Sequence, residues 1–260
     1  MPRVSPNIAL GKRCNGTLSL RPVRRSSIHR AMNSEPALQS VRVWDLPTRL
    51  FHWLLALAVI GSVLSGQIGG NAMVWHTRLG LFVLALLVFR IVWGFVGGYW
   101  SRFASFLYGP RSVLAYLGGA SGPGGRYDIG HSPLGALSVW ALLALLALQV
   151  ATGLVADDEI ATTGPLNRFA GESTVRTASA WHETGGKWLL IVLSALHVAA
   201  VLIYLWRRQR NLIRPMVSGD LSLPSDAIAS RDDARARLAA LVIALAASTL
   251  AWWIGNLATA

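Results

Sequence analysis

Five apolar stretches, each long enough to cross a membrane as a helix, constrain the fold of this chain more than any other feature. A helix needs about 20 apolar residues to cross about 30 Å of hydrocarbon. The stretches run from about Leu50 to Gln67, His76 to Val96, Pro133 to Val155, Lys187 to Trp206 and Leu238 to Leu257. Backbone amides in lipid need partners within their own segment, and these stretches are too long for barrel strands. The sequence therefore predicts an all-α integral membrane helical bundle with four core helices and a fifth C-terminal transmembrane helix.

The composition agrees with a membrane protein. Hydrophobic residues make up 53% of the chain, charged residues make up 14%, and eleven residues are tryptophan. Soluble domains of this size rarely have such a composition. The net charge of +12 comes largely from arginines, but no basic, aromatic-rich soluble module accompanies them. We therefore expect membrane lipid as a partner and no nucleic acid.

Arginines at the segment ends predict the orientation, because basic residues near transmembrane helices stay on the cytoplasmic side. These arginines are Arg42, Arg49, Arg90, Arg102, Arg111, Arg126, Arg207, Arg208, Arg210 and Arg214. With alternating helices they all fall on one side, whereas the loop between the third and fourth stretches holds Asp157, Asp158, Glu159 and Glu172. We expect a multi-pass protein of the bacterial inner membrane with its N-terminus in the cytoplasm and its C-terminus outside.

Residues 1–40 form a basic N-terminal extension that we expect to be disordered. Seven basic residues stand there against a single acid, Glu35, in a serine-rich stretch that is typical of transit peptides. Met32 opens an ordinary start sequence, so we favour an upstream extension from start-site choice; a basic tail on the lipid surface is the alternative. Cys14 is the only cysteine of the chain, so no disulfide, thiolate cluster or CxxCH haem attachment is expected.

Four of the six histidines lie at two depths of the predicted bundle. His182 and His197 share the fourth helical region, where fifteen residues separate them by about 22 Å and about 60° of rotation, so both can face one interior. The first helix starts inside, whereas the second and fourth start outside. His52 therefore reaches the depth of His197, and His76 reaches the depth of His182. Imidazoles in a membrane are costly unless paired, which makes each pair a candidate functional site.

Two imidazoles at one depth suit a haem. A neutral imidazole nitrogen is a good axial ligand for haem iron, and two of them fill both axial positions. The sequence thus predicts two b haems, one for each histidine pair, in a four-helix haem-binding core. With no open position for oxygen chemistry, we predict electron transfer and assign no catalytic residue. A zinc ion prefers three or four ligands close together, so a single metal centre is disfavoured.

Several residues keep an alternative explanation. His52 and His76 also suit interfacial positions. His131, at the inner mouth of the third helix, fits a loop role, a hydrogen bond to a haem propionate or a quinone carbonyl, or replacement of His52 as a ligand. Arg90 either pairs with a propionate or extends to the interface. Small residues that make room either for flat macrocycles or for close helix packing are Gly61, Ser62, Ser65, Gly66, Gly94, Gly97, Gly98, Ser194 and Ala195.

Four sequence segments carry a family resemblance. They read VRVWDLPTRLFHWLLALA, WHTRLGLFVLALLVFRIVWGFVGG, GHSPLGALSVWALLALLALQVATGL and WHETGGKWLLIVLSALHVAAVLIY. In this order they resemble the successive helices of the bacterial cytochrome b561 family, which is grouped with the cytochrome b subunits of nickel-iron hydrogenases. The resemblance implies a four-helix core that binds two b haems through His52, His76, His182 and His197. It also implies electron exchange between a quinone and a partner such as a hydrogenase, a c-type cytochrome or superoxide.

Together these features predict a domain order and a function. We expect the extension 1–40, a di-haem transmembrane domain 41–216, a polar linker 217–237 and an additional transmembrane helix 238–260. The predicted function is electron transfer across the membrane between a quinone pool and a partner redox protein. The alternatives are a superoxide oxidase that reduces ubiquinone, a cytochrome b anchor subunit of a hydrogenase-type complex, and a haem-free anchor or transporter. A bound quinone and a homodimer remain open.

Overall fold

The computed structural model describes residues 38–120, 129–224 and 227–257. Most of the predicted N-terminal extension, with Cys14 and His29, lies outside the described residues, as does Arg126. Five helices within the described ranges have the length and composition to span a membrane, which confirms the predicted fold class. The expected boundaries agree with the observed ones within a few residues in four of the five spans.

The helices follow one another in a simple order. They are α1 (Leu46–Ile68), α2 (Met73–Val96), α3 (Pro110–Leu117), α4 (Pro133–Gly153), α5 (Glu172–Ala180), α6 (Gly186–Arg207), α7 (Ile213–Ser218) and α8 (Ala234–Asn256). A π-helical turn, Trp181–Gly185, joins α5 to α6, so the fourth span is one helical run of 36 residues. This run begins well before the apolar stretch because the polar turns of α5 extend it at its N-terminal end.

Local sequence signals set where the spans begin. The Asp45 carboxylate accepts a hydrogen bond from the Thr48 amide at the start of α1. Ser132 caps α4 in the same way and is followed by a proline at the first helical position, while Asp233 caps α8. Such caps satisfy amides that have no partner inside the helix. The sequence predicts the Ser132 cap; the caps at Asp45 and Asp233 come from the structure.

Helix α2 lies at the centre of the bundle, in contact with α1, α4 and α8. Trp93 of α2 is fully buried and stacks on Phe89, with ring centroids 5.8 Å apart. Small residues allow close contacts: a β-carbon on Gly61 would lie 2.9 Å from Leu79 of α2, and one on Gly94 would overlap the ring of Phe103. Close helix packing therefore explains Gly61, and packing of α2 against the turn Phe103–Ser105 explains Gly94.

The added C-terminal helix α8 packs along α2 with a row of alanines. The buried members of this row are Ala236, Ala240, Ala247 and Ala251. Alanines at such spacing let two helices approach closely in a membrane, where van der Waals packing holds them together. The opposite side of α8 exposes large apolar residues, including Leu241, Leu245 and Trp252, as expected for a surface that contacts lipid.

A two-stranded antiparallel sheet forms beside the bundle. Strand β1 (Leu38–Arg42) pairs with β2 (Asp220–Pro224), and Ser40 lies opposite Ser222. The sequence analysis does not predict these strands, because each has five residues and no strong alternation of apolar and polar side chains. Pairing with a segment about 180 residues away stabilises them, and local sequence carries no record of that contact. Strand β2 lies within the segment 217–237 that is expected as a polar linker, whereas β1 spans the boundary between the expected extension 1–40 and the transmembrane domain.

Asp232 connects three parts of the fold at this end of the bundle. Its carboxylate accepts hydrogen bonds from the Leu46 amide at 3.2 Å, from Arg42 Nη1 at 3.2 Å and from Arg237 Nε at 3.0 Å. Only 6% of the Asp232 side chain is exposed. Burial alone would raise the pKa of Asp232, but the hydrogen bonds and the arginine charges outweigh burial and lower the pKa. The ion pairs therefore stabilise the fold at neutral pH and are lost as the pH falls through this lowered pKa.

We expect Asp232→Ala to lower the free energy of unfolding by about 2 kcal/mol, because it removes charged hydrogen bonds from a mostly buried site. The apparent melting temperature in detergent at pH 7 measures this effect. Glu172→Gln is the control, since Glu172 forms an ion pair with Arg176 in which both side chains are exposed. Equal melting temperatures for Asp232→Ala and Glu172→Gln would contradict the role given to Asp232.

Candidate cofactor site: two histidine pairs

The structure brings the four histidines together in two pairs. His52 of α1 and His197 of α6 have ring centroids 6.5 Å apart, with 52° between the ring planes. His76 of α2 and His182 of the π-helical turn have centroids 5.8 Å apart, with 83° between the planes. We call these the inner pair and the outer pair. They are the pairs expected from the helix order, while the role of the histidines as ligands stays a prediction.

Both separations suit two imidazoles on opposite sides of one metal ion. A metal–nitrogen bond to histidine is about 2.0 Å long, and each nitrogen lies about 1 Å from its ring centroid, so the centroids of two such ligands lie about 6 Å apart. The observed 6.5 Å and 5.8 Å are close to this value. The donor set, two neutral imidazoles for each site, is the one that a six-coordinate haem iron requires.

Hydrogen bonds fix the ring orientation in the outer pair. His76 Nδ1 lies 2.8 Å from the carbonyl oxygen of Ser62, and His182 Nδ1 lies 2.9 Å from the carbonyl oxygen of Gln149. A carbonyl oxygen accepts hydrogen bonds and never donates them, so each Nδ1 carries the proton. In the neutral rings Nε2 is then free to bind a metal, which is the usual arrangement of histidine ligands.

Glycines give the outer rings their space. A β-carbon on Gly153 would lie 2.6 Å from Cε1 of His182, and one on Gly66 would lie 3.0 Å from Nδ1 of His76. Any larger residue at Gly153 would displace the imidazole. Gly66 is one of the small residues noted in the sequence, and it makes room for the His76 ring. Gly153 was not among those residues, although it makes room for the His182 ring.

Gln149 is a further site residue that the sequence analysis missed. Its side-chain Nε2 donates to the backbone carbonyl of His182 at 2.7 Å, while its own backbone carbonyl accepts from the His182 ring. These two hydrogen bonds connect α4 to the π-helical turn, a kind of distortion that is frequent at functional sites. The sequence feature that could have revealed it is the single glutamine of a mostly apolar span. A polar side chain in such a span usually forms a hydrogen bond to a neighbouring helix.

The inner pair has different surroundings. His52 Nδ1 is buried and has no hydrogen-bond partner among the described residues. His197 Nδ1 lies 3.5 Å from the Ser138 hydroxyl, at the limit for a hydrogen bond. The inner rings are thus held by packing more than by hydrogen bonds, whereas the outer rings have fixed partners.

His131 and Arg90 lie beside the inner pair. The His131 ring packs on Trp44 and Phe106, with centroid distances of 4.7 Å and 4.4 Å. Burial, followed by the nearby charge of Arg90, lowers the pKa of His131 to about 3, so this ring is neutral at physiological pH. Arg90 is 3% exposed, which shows that the alternative of an arginine extended to the interface was wrong. The ring that faces His197 is that of His52.

Within the described ranges, no group of three or more His, Cys, Asp or Glu side chains converges on one point. The histidines instead converge in twos, at the two ends of the helical run that carries His182 and His197. Fifteen residues, or about 22 Å of helix, separate these two positions. The described residues thus contain two separate histidine pairs.

Comparisons with known proteins find one matching family and several relatives. The model of the family described as prokaryotic cytochrome b561 matches residues 43–219. Three relatives are each named a probable Ni/Fe-hydrogenase B-type cytochrome subunit. The one from Cupriavidus necator is 23% identical, over 73% of this chain and 90% of its own length. Those from Azotobacter chroococcum mcd 1 and Azotobacter vinelandii are 28% and 27% identical, each over 69% of this chain and 88% of its own length.

We expect Gly153→Val to move the His182 ring away from His76, because the added side chain would overlap the imidazole. The purified variant should show less haem absorbance for each chain than the unchanged protein. Gly171→Val is the matched control, since a β-carbon at Gly171 would meet nothing within 4 Å. The same haem absorbance in both variants would show that His182 tolerates displacement.

Proposed function

The chain belongs to the prokaryotic cytochrome b561 family, and from that membership we propose that it carries electrons across the bacterial inner membrane through two b haems. As a member it is a multi-pass membrane b-type cytochrome that transfers electrons and contains b-type haem. The proposal adds the number of haems, their ligands and the direction of the path. It rests on a single observation, the presence of two histidine pairs at two depths of one bundle.

In this proposal His52 and His197 bind the inner haem, and His76 and His182 bind the outer haem. The haem supplies one-electron redox chemistry when it is bound. The protein supplies the rest: two imidazoles at each site leave no open position for oxygen, and the Ser62 and Gln149 carbonyls hold the outer rings in one orientation. The apolar helices around them exclude water, which limits the reorganisation that an electron transfer requires.

Charge supports an orientation with the inner pair towards the cytoplasm. Arg102, Arg111 and Arg207 are exposed and lie at the end of the bundle where α1 begins and α6 ends. Basic residues favour the cytoplasmic side. The outer pair lies at the other end, near the loop that contains Asp157, Asp158 and Glu159. Electrons would thus pass between an outer partner and the cytoplasmic side.

The proposed exchange partners are a quinone and a hydrogenase-type redox protein. The relatives named as hydrogenase cytochrome subunits support the second partner, and the membrane position of both histidine pairs supports a lipid-soluble quinone. A c-type cytochrome is a further possible partner, because acidic residues surround the outer end. Because the family is one of b-type cytochromes, membership argues against the alternative of a haem-free anchor or transporter.

The superoxide alternative gains no support from the outer surface. Lys187, one of the cations that would attract the anion, donates to Gln67 at 3.2 Å. Arg176 forms an ion pair with Glu172 at 3.4 Å. The third such cation, Arg168, is exposed and lies over the Phe169 ring. Because Asp157, Asp158, Glu159 and Glu172 lie in the same loop region, the acids offset the attraction of these cations for an anion.

We expect His197→Ala and His182→Ala each to lose one of two haems, since each removes one ligand from a different pair. Haem content for each chain and a redox titration of the optical spectrum measure the loss. In vesicles that contain trapped ferricyanide, both variants should also stop oxidation of an external reductant, because each retains only one haem of the path.

Thr249→Ala is the control, because Thr249 is exposed on α8 and its hydroxyl donates to the Leu245 carbonyl of the same helix. It should retain both haems and the transfer into vesicles. Two haems in His197→Ala would overturn the assigned inner ligand, and two haems in His182→Ala would overturn the assigned outer ligand.

We expect a reporter that is active only outside the cytoplasm, such as alkaline phosphatase, to be active when fused after Leu257 and inactive when fused after Arg210. The reason is the excess of arginine at the end where α6 finishes. Activity in cells, normalised to the amount of fusion protein, measures the orientation. The opposite pattern would reverse the proposed direction of the path.

A further inference from the structure

Arg90 carries a positive charge inside the bundle and forms no ion pair with a described residue. It belongs to α2 and is 3% exposed, and its Nη1 atom is buried with no hydrogen-bond partner among the described residues. The buried Asp45 carboxylate is near enough to act on Arg90 electrostatically, but it accepts its hydrogen bonds from Thr48, Trp93, Gly98 and Ser101. A buried guanidinium is costly unless its donors are satisfied, so Nη1 calls for an acceptor in direct contact.

Aromatic rings surround the guanidinium. Its central carbon lies 4.7 Å from the ring centroid of Phe103, 5.9 Å from that of Phe106 and 6.0 Å from that of Phe51. Ring faces attract a cation but accept no conventional hydrogen bonds from its N–H groups. The rings therefore hold the guanidinium in place and leave its hydrogen-bond donors available.

Two further unpartnered nitrogen atoms lie around the same rings. Trp140 Nε1 is buried without a partner, and the Trp140 ring lies 4.7 Å from Phe103 and 5.9 Å from Phe106. His131 Nδ1 is likewise buried and without a partner, with its ring 4.4 Å from Phe106. Arg90 and Trp140 only donate hydrogen bonds, and His131 does so in one of its two neutral forms. We call Arg90, His131 and Trp140 the donor cluster.

The donor cluster lies next to the inner histidine pair. Phe51, which faces Arg90, directly precedes His52 in α1. His131 is close enough to Arg90, His52 and His197 to interact with each of them electrostatically. A group bound between His52 and His197 would therefore lie within reach of the cluster.

We propose that the donor cluster binds a carboxylate group of the haem held between His52 and His197. This inference rests on the proposed function. A carboxylate brings a negative charge into direct contact and accepts two parallel hydrogen bonds from a guanidinium, whereas the neutral carbonyl of a quinone would accept hydrogen bonds without adding a charge. Among the described residues the outer pair has no buried arginine beside it: Arg78, two residues after His76, is exposed and lies over the Trp75 ring, and Lys187 donates to Gln67. The two haems are thus held differently.

Isotope labelling tests the inference on the full-length purified protein. Cells are fed with 5-aminolevulinate that carries carbon-13 in its carboxyl group. The label then enters the two carboxylates of each haem. Infrared difference spectra between the oxidised and reduced protein are recorded with and without the label, and the bands that differ between the two samples report those carboxylates alone. The variants are Arg90→Gln, which removes the charge, Arg90→Lys, which keeps the charge without the planar fork, and Trp140→Phe, which removes one N–H group.

We expect a label-sensitive carboxylate band in the unchanged protein that shifts in Arg90→Gln and shifts less in Arg90→Lys and Trp140→Phe. In the redox titration, Arg90→Gln should lower the midpoint potential of one haem and leave the other unchanged, because a positive charge near the iron favours the reduced form. Arg102→Gln is the control: Arg102 is exposed, lies at the same end of the bundle and carries the same charge. It should leave both signals unchanged.

Three results would overturn the inference. The labelled band could be identical in the unchanged protein and in Arg90→Gln, both potentials could shift equally in Arg90→Gln and Arg102→Gln, or an added quinone could produce an Arg90-dependent band that the label does not affect. The last result would assign the cluster to a quinone carbonyl. Failure of the proposed function is distinguishable, because it would appear as fewer than two haems in the unchanged protein.

Discussion

Within the membrane each polar group of this chain must find its partner in the protein, because hydrocarbon offers none. Helices satisfy the backbone, and the remaining polar groups are few enough to follow individually. His76 and His182 donate to carbonyls of Ser62 and Gln149 on neighbouring helices. Among the described residues, buried polar atoms without a partner lie near both pairs. Ser62 Oγ, Gln149 Oε1 and Trp181 Nε1 belong to the outer end, whereas the cationic donor Arg90 and the donors of His131 and Trp140 lie beside the inner pair.

The two pairs differ in how the protein holds them. Hydrogen bonds, a π-helical turn and two closely fitted glycines fix the outer rings. The inner rings lie among aromatic side chains, with a buried arginine nearby. A cation beside a haem favours its reduced form, whereas hydrogen bonds to ligating imidazoles raise their basicity and favour the oxidised form. On this physical basis the two proposed haems would have different redox potentials. Such a difference gives electron transfer between them a preferred direction.

Packing outside the histidine pairs supports this geometry. The fully buried Asp45 carboxylate accepts hydrogen bonds from Thr48, Trp93, Gly98 and Ser101 and so connects the start of α1 to the end of α2. Asp232 extends the connection to the strands and to α8. Because His52 lies less than two turns from Asp45, a shift of α1 along its axis would carry the ring out of line with His197. The β-sheet and α8 thus help to set the depth of the inner pair.

Much of the candidate site could be predicted from the sequence. Helix order and the rise of 1.5 Å per residue fix which histidines share a depth, and the pairs His52 with His197 and His76 with His182 follow. The carbonyl partners could not be predicted, because they depend on which atoms of two helices meet after packing. The contacts of Gln149 and the burial of Arg90 could not be predicted for the same reason. A glutamine or an arginine in an apolar span can meet several neighbours, and only the packing of the helices selects one.

The sequence by itself determined the membrane spans, the Ser132 cap, the family and the two depths of histidine, because hydropathy, capping and helical rise are local properties of a chain. Tertiary structure alone decided the rotation of each helix about its axis, the strands β1 and β2, and the cluster of unpartnered donors beside the inner pair. These depend on contacts between residues far apart in the sequence, such as Arg42 with Asp232, and their energies arise only once the helices have packed.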